Sequence, residues 1–192
     1  MGDAQPRGPD AAALAYYVSA DGAALAPRDW TCDSGWGSNA TFLSVAPKCE
    51  VGKQECASVN VWHFFGGTFG RFDVAQIAAR VFPSAKAFVD GVINEKLPGS
   101  ADIHYGAYPA DKLTRLGSNV VEFETPAGKI GLGSEDGKHA WPVIGVAILL
   151  PKPDMDIVQL DVYLPPNQRG QAQIIRKAFE QAVASGEFPT PP

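Results

Sequence analysis

Basic charge is scarce and nowhere gathered. The chain has 16 Lys and Arg against 21 Asp and Glu among 192 residues, a net charge of −5. Nucleic-acid binding needs a basic face to neutralise phosphates, and no such cluster is present, so nucleic acid is excluded as an expected partner. An anionic membrane surface is excluded on the same ground. Long apolar runs are also missing. The longest, residues 140–150, is interrupted by Pro142 and Gly145 and falls short of the roughly 20 residues that span a bilayer, so no membrane span is expected. Histidine occurs three times, as His63, His104 and His139, and no two of them share a metal-ligand spacing. There is no HExxH and no Gly-x-Ser-x-Gly elbow. No cofactor and no metal is expected.

Cysteine is sparse, and it is informative. Cys49 and Cys56 flank a polar loop with a central Gly52, between strand-like runs at 41–46 and 58–65. If those runs pair as a hairpin, the two cysteines face each other and a Cys49–Cys56 disulfide is expected. Cys32 is left over, as a buried free thiol or the alternative partner. A disulfide in turn predicts an oxidising compartment. The opening segment, Met1-Gly2-Asp3, has no apolar core of the kind a signal peptide carries. The expected location is therefore periplasmic or secreted, with the export signal already removed.

Glycine (20) and proline (16) are frequent and cut the chain into short elements. Residues 1–12 are expected to be a disordered leader, 13–188 a single domain, and 189–192 a frayed tail. Strands are predicted at 14–19, 41–46, 58–65, 104–108, 120–125, 143–150 and 157–164. Residues 33–39 are predicted as a turn. Val74, Ile77, Ala78 and Val81 keep helical spacing, with Asp73 as the N-cap. Pro83 interrupts that pattern, and Phe88, Val89, Val92 and Ile93 resume it, giving two short helices or one kinked helix. A closing helix over 171–184 places Ile175, Phe179 and Ala182 on one face. Turns this short between strands leave no room for crossovers. The expected fold class is α+β: an antiparallel sheet with the two short helices and a C-terminal helix packed on it.

That order, with the entry Ser19-Ala20-Asp21-Gly22 and Pro27-Arg28-Asp29-Trp30, resembles the PsbP-like fold. Three further segments, Gly70-Arg71-Phe72-Asp73-Val74-Ala75, Tyr108-Pro109-Ala110-Asp111-Lys112-Leu113 and Gly131-Leu132-Gly133, resemble uncharacterised exported proteins of Gram-negative bacteria. The resemblance implies export and an accessory or binding role, and it carries no functional residue with it.

Candidate functional groups are few. His104-Tyr105 and His139-Ala140-Trp141 lie near turns, where binding groups gather, and His104, Tyr105, His139 and Trp141 form the candidate ligand-binding set. The same rings also suit the ordinary edge of a sheet. His63 lies in an apolar strand and reads as a core residue. Glu122 and Glu124 project from one sheet face, as a solvated face or as a carboxylate pair of the glycosidase type. Gly66-Gly67-Thr68-Phe69-Gly70 lacks the register of a phosphate loop and reads as a bend into a helix, in which Arg71 and Asp73 could pair. The leading expectation is a non-catalytic exported accessory or binding protein, its partner a small molecule, a glycan or a protein. A hydrolase with a His/Glu cleft and a secreted inhibitor or immunity-type protein are the alternatives.

Overall fold

The computed structural model describes residues 12–19, 22–49, 56–151 and 154–186. The expected leader up to residue 11, the tail and the loop between Cys49 and Cys56 lie outside the described residues. Nine strands are described: β1 (Leu14–Val18), β2 (Ala23–Pro27), β3 (Thr31–Trp36), β4 (Ala40–Ala46), β5 (Ser58–Phe64), β6 (Lys112–Arg115), β7 (Val120–Thr125), β8 (Val143–Leu150) and β9 (Asp156–Tyr163). Three α-helices accompany them among the described residues: α1 (Arg71–Val81), α2 (Lys86–Asn94) and α3 (Arg169–Ser185). The fold is α+β, as the composition of elements predicts.

Seven strands form one antiparallel sheet in the order β3-β4-β5-β9-β8-β7-β6, and β1 and β2 form a separate hairpin. The central strands explain their own position. Val143–Leu150 is almost wholly apolar and buried on both faces, so it must lie inside the sheet with both faces covered. One face is lined by Leu43, Val45, Val59, Val61, Val146, Val158, Leu160 and Val162, and it packs against the β1–β2 hairpin and Ala172, Ile175 and Phe179 of α3. The opposite face is covered on one part only, where α1 and α2 seat Val74, Ala78, Val89 and Val92 on Val121, Ala147, Leu149 and Ile157.

Several expectations are corrected. Residues 33–39 are not one turn: Thr31–Trp36 is edge strand β3, paired without a bulge to Ala46–Thr41. Pairing with β4 overrides the turn-forming Asp-Ser-Gly composition, and the Phe42 ring lies where a side chain on Gly35 would stand. Residues 104–108 are irregular, not a strand, and strand β6 follows instead. Helix α1 starts at Arg71 with Gly70 as its N-cap, and Asp73 falls in the first turn, where it accepts Asn39 Nδ2 at 3.2 Å. Arg71 consequently pairs with Glu95 at 2.7 Å, not with Asp73. Pro83 separates the helices through a single 3-10 turn, Pro83–Ala85.

The Cys49–Cys56 disulfide is present, with Cα atoms 6.2 Å apart, inside the range a disulfide tolerates. The two cysteines are not strictly opposite. Continuing the Val45↔Val59 register places Cys56 opposite Lys48, so the bond closes across an offset of one residue. Cys32 is a free thiol but not a buried one: edge strand β3 leaves it exposed. Among the described residues no helix is long and apolar enough to cross a membrane.

Candidate functional site

Where α1 and α2 stop, the second sheet face is left open. Alternation along β5 and β9 aims Asn60, Trp62 and Phe64, and Gln159, Asp161 and Tyr163, at this face. Cross-strand register then assembles two rows. Phe42, Trp62 and Gln159 form one, and Ser44, Asn60 and Asp161 form the next. Trp62 stacks on Phe64 with centroids 5.9 Å apart and planes 9° from parallel, and Phe42 leans on Trp62 at 5.5 Å. The result is an aromatic strip beside a polar strip.

A cleft of about 340 Å³ lies over the junction of these strips. Its floor is Trp62, Phe64, Gln159 and Asp161; Ile77 of α1 closes one side, and the 132–135 loop with His139 closes the other. Asp111 fixes that loop. Its carboxylate accepts the Thr125 hydroxyl at 2.7 Å and the Leu132 backbone N–H at 2.9 Å, and the Gly133 N–H donates to Thr125 Oγ1 at 3.1 Å. Gly131 packs so closely on Asp111 and Thr125 that no side chain fits there. Burial raises the Asp111 carboxyl above its usual range, with the Leu132 and Thr125 hydrogen bonds opposing it.

Gln159 and Asp161 are the polar centre. The Gln159 amide nitrogen donates to Asp161 Oδ1 at 2.8 Å and to the Leu132 carbonyl at 3.3 Å, which uses both of its hydrogens. Gln159 is 5% exposed, and among the described residues its Oε1 has no partner. Asp161 is pushed up to about 7, chiefly because burial disfavours its charge; the Gln159 hydrogen bond opposes this and the Glu135 charge adds to it.

The candidate residues named from the sequence fall in two places. His139 lines the cleft. It packs on one side of the buried Tyr163 at 4.5 Å, and Trp141 stacks on the same ring at 5.0 Å. The Ala140 N–H donates to the Tyr163 hydroxyl at 3.1 Å, so this segment is anchored on β9. Tyr105, with His104 before it in the chain, lies beside α2 instead. Tyr105 donates to Asp90 at 2.6 Å under the ammonium of Lys86, and it is raised to about 12 by desolvation and by that bond.

Glu122 and Glu124 do not form a reactive pair. They face α3, where Arg176 meets Glu122 at 2.6 Å and Arg169 meets Glu124 at 3.0 Å. Their place is the seam between helix and sheet. His63 is buried, with Nε2 3.0 Å from Asp156 Oδ2, and Asp156 Oδ1 accepts the Gly66 N–H at 2.8 Å. That carboxylate ties β9 to the glycine-rich bend. Burial would raise the Asp156 carboxyl, but His63 and the Gly66 N–H together hold it below its usual range. Among the described residues no group of three or more His, Cys, Asp and Glu side chains is placed to hold a metal ion.

Sequence reasoning passed over Gln159 and Asp161. Both interrupt the apolar run of β9, and a polar pair at i, i+2 within a central strand was the available signal, since such a strand ordinarily buries both faces. Comparison with protein families, curated protein sequences and solved structures finds no match.

Proposed function

We propose that this chain is an exported binding protein that holds a small polar ligand in the cleft over Gln159 and Asp161. The observation that carries this reading is the buried, unpartnered Oε1 of Gln159. A buried acceptor left unmade costs roughly 1–3 kcal/mol, and a ligand that donates to it recovers that loss. The surroundings suit the role: an aromatic floor from Trp62 and Phe64, a carboxyl at Asp161, and walls held by Asp111 and Tyr163. Small-molecule sites take this form, an apolar concavity with a few convergent polar groups. Export is supported by the disulfide, which an oxidising compartment maintains. The test is a thermal-shift and calorimetric screen of amines, neutral glycans and small carboxylates against the native protein and Trp62→Ala. Saturable binding that Trp62→Ala weakens supports the reading; no binding from any class overturns it.

A second reading is favoured by one observation. A carboxyl near 7 is poised for proton transfer at neutral pH, and Asp161 has Glu135 and His139 beside it in the cleft. A hydrolase of this kind turns over ester, glycoside or peptide substrates and loses about 10²-fold or more in Asp161→Asn at unchanged melting temperature. Absence of turnover across those panels removes it.

A further inference from the structure

We propose that the ligand of this cleft is a small organic cation, an amine or guanidinium compound that donates to Gln159 Oε1, pairs with Asp161 and lies against Trp62. The inference rests on the binding reading and names its ligand class.

The lining decides the sign of charge. Among the described residues it includes two carboxyl groups, Asp161 and Glu135, and no Lys or Arg. It includes aromatic faces, which attract cations through the ring quadrupole. Its unpartnered buried atom is an acceptor, so the ligand must bring an N–H or O–H. Both hydrogens of the Gln159 amide are already used on Asp161 and Leu132, so Gln159 cannot turn its nitrogen outward to receive an acceptor without breaking two bonds. An anion meets two carboxylates here. A neutral hydroxyl could satisfy Gln159, but it makes no ion pair with Asp161 or Glu135. A cation answers both groups at once.

Proton linkage follows. A cation favours ionised Asp161, whereas in the empty cleft the carboxyl is half protonated near neutrality. Binding therefore releases a proton below about pH 7. The titratable groups facing Asp161 are Glu135 and His139 from the loop; β5 contributes Asn60 and Trp62, and α1 contributes Ile77, none of which titrates. His139 lines the same cleft, so its contribution is separated by mutation.

The experiment is calorimetry of the full chain with agmatine and putrescine, with 1,4-butanediol and N-acetylglucosamine as neutral counterparts, from pH 5 to pH 8. Amine affinity is expected to rise about tenfold per pH unit up to roughly pH 7 and then level off. Asp161→Asn should weaken amine binding at least about tenfold and abolish the pH slope, whereas His139→Asn should keep most of the slope. Glu135→Gln, at an exposed position, should weaken amines by roughly three- to tenfold with folding intact, which keeps the test valid if Asp161→Asn fails to fold. Binding of the neutral compounds without the amines overturns the cation inference and leaves the binding reading standing. Amine binding with a slope that survives Asp161→Asn also overturns it. Binding of neither class overturns the cation inference, and failure of small carboxylates as well overturns the binding reading with it.

Discussion

The carboxylate of Asp111 accepts the backbone N–H of Leu132 at 2.9 Å, and through that bond two segments 21 residues apart in sequence form one wall of the cleft. Asp111 enters from the turn ahead of β6, and Leu132 belongs to the loop that delivers Glu135 and His139. Asp111→Ala leaves the Leu132 N–H and the Thr125 hydroxyl without their acceptor. The expected loss is about 1–3 kcal/mol of stability, with faster amide exchange across 131–135 than elsewhere. A variant as stable as the parent, with unchanged exchange, would show that the loop is held by other contacts.

The thiol count is equally definite. Native protein should expose one reactive thiol, Cys32, and reduction in denaturant should expose three. Replacing Cys49 and Cys56 by Ser should cost about 2–2.5 kcal/mol on the chain-entropy model of a short loop. Three native thiols would remove the bond, and with it the main support for export.

Much of the architecture was legible because it follows from periodicity. The β7 bounds, 120–125, coincide with an alternating apolar and acidic pattern and the β8 bounds, 143–150, with an apolar run, and α3 follows from Ile175 and Phe179 on one face. Strand β3 was hidden because its reason is tertiary: Asp33, Ser34 and Gly35 have turn chemistry and become a strand by pairing with β4. The site was half legible. His139 stood out as a titratable ring near a turn. Asp161 acquires its meaning from partners it meets only when β5, β9 and the 132–135 loop converge, and Glu122 is engaged by Arg176 of α3, a partner 54 residues further along the chain.

The closing helix supplies a test of the covered face. Phe179 is 5% exposed against the sheet, so Phe179→Ala should cost about 3–5 kcal/mol. A change within about 0.5 kcal/mol would mean that α3 contributes little to the core.

Asp161 makes stability depend on pH in a direction opposite to that of most carboxylates. Its folded value, about 7, lies above the ordinary 3.8, so the folded protein holds the proton more tightly than the unfolded chain. The favourable contribution is complete below about pH 4 and is lost as pH rises towards 7. Asp161→Asn has no charge to bury. Its stability relative to the parent should climb between pH 4 and pH 7 by about 2–4 kcal/mol and stay flat above, read from urea unfolding at each pH. A difference that does not vary with pH would place Asp161 in ordinary solvent.

Chemical-shift mapping of the ¹⁵N-labelled protein during titration with agmatine and with N-acetylglucosamine tests the binding site most directly. The expected result is saturable shifts at the Trp62 indole N–H and at the amides of Leu132, Gly133, Glu135, Gln159 and Asp161, with the Tyr105 region of α2 unmoved. Shifts confined to Lys86, Asp90 and Tyr105, or no saturable shifts with either compound, would contradict a ligand site in this cleft.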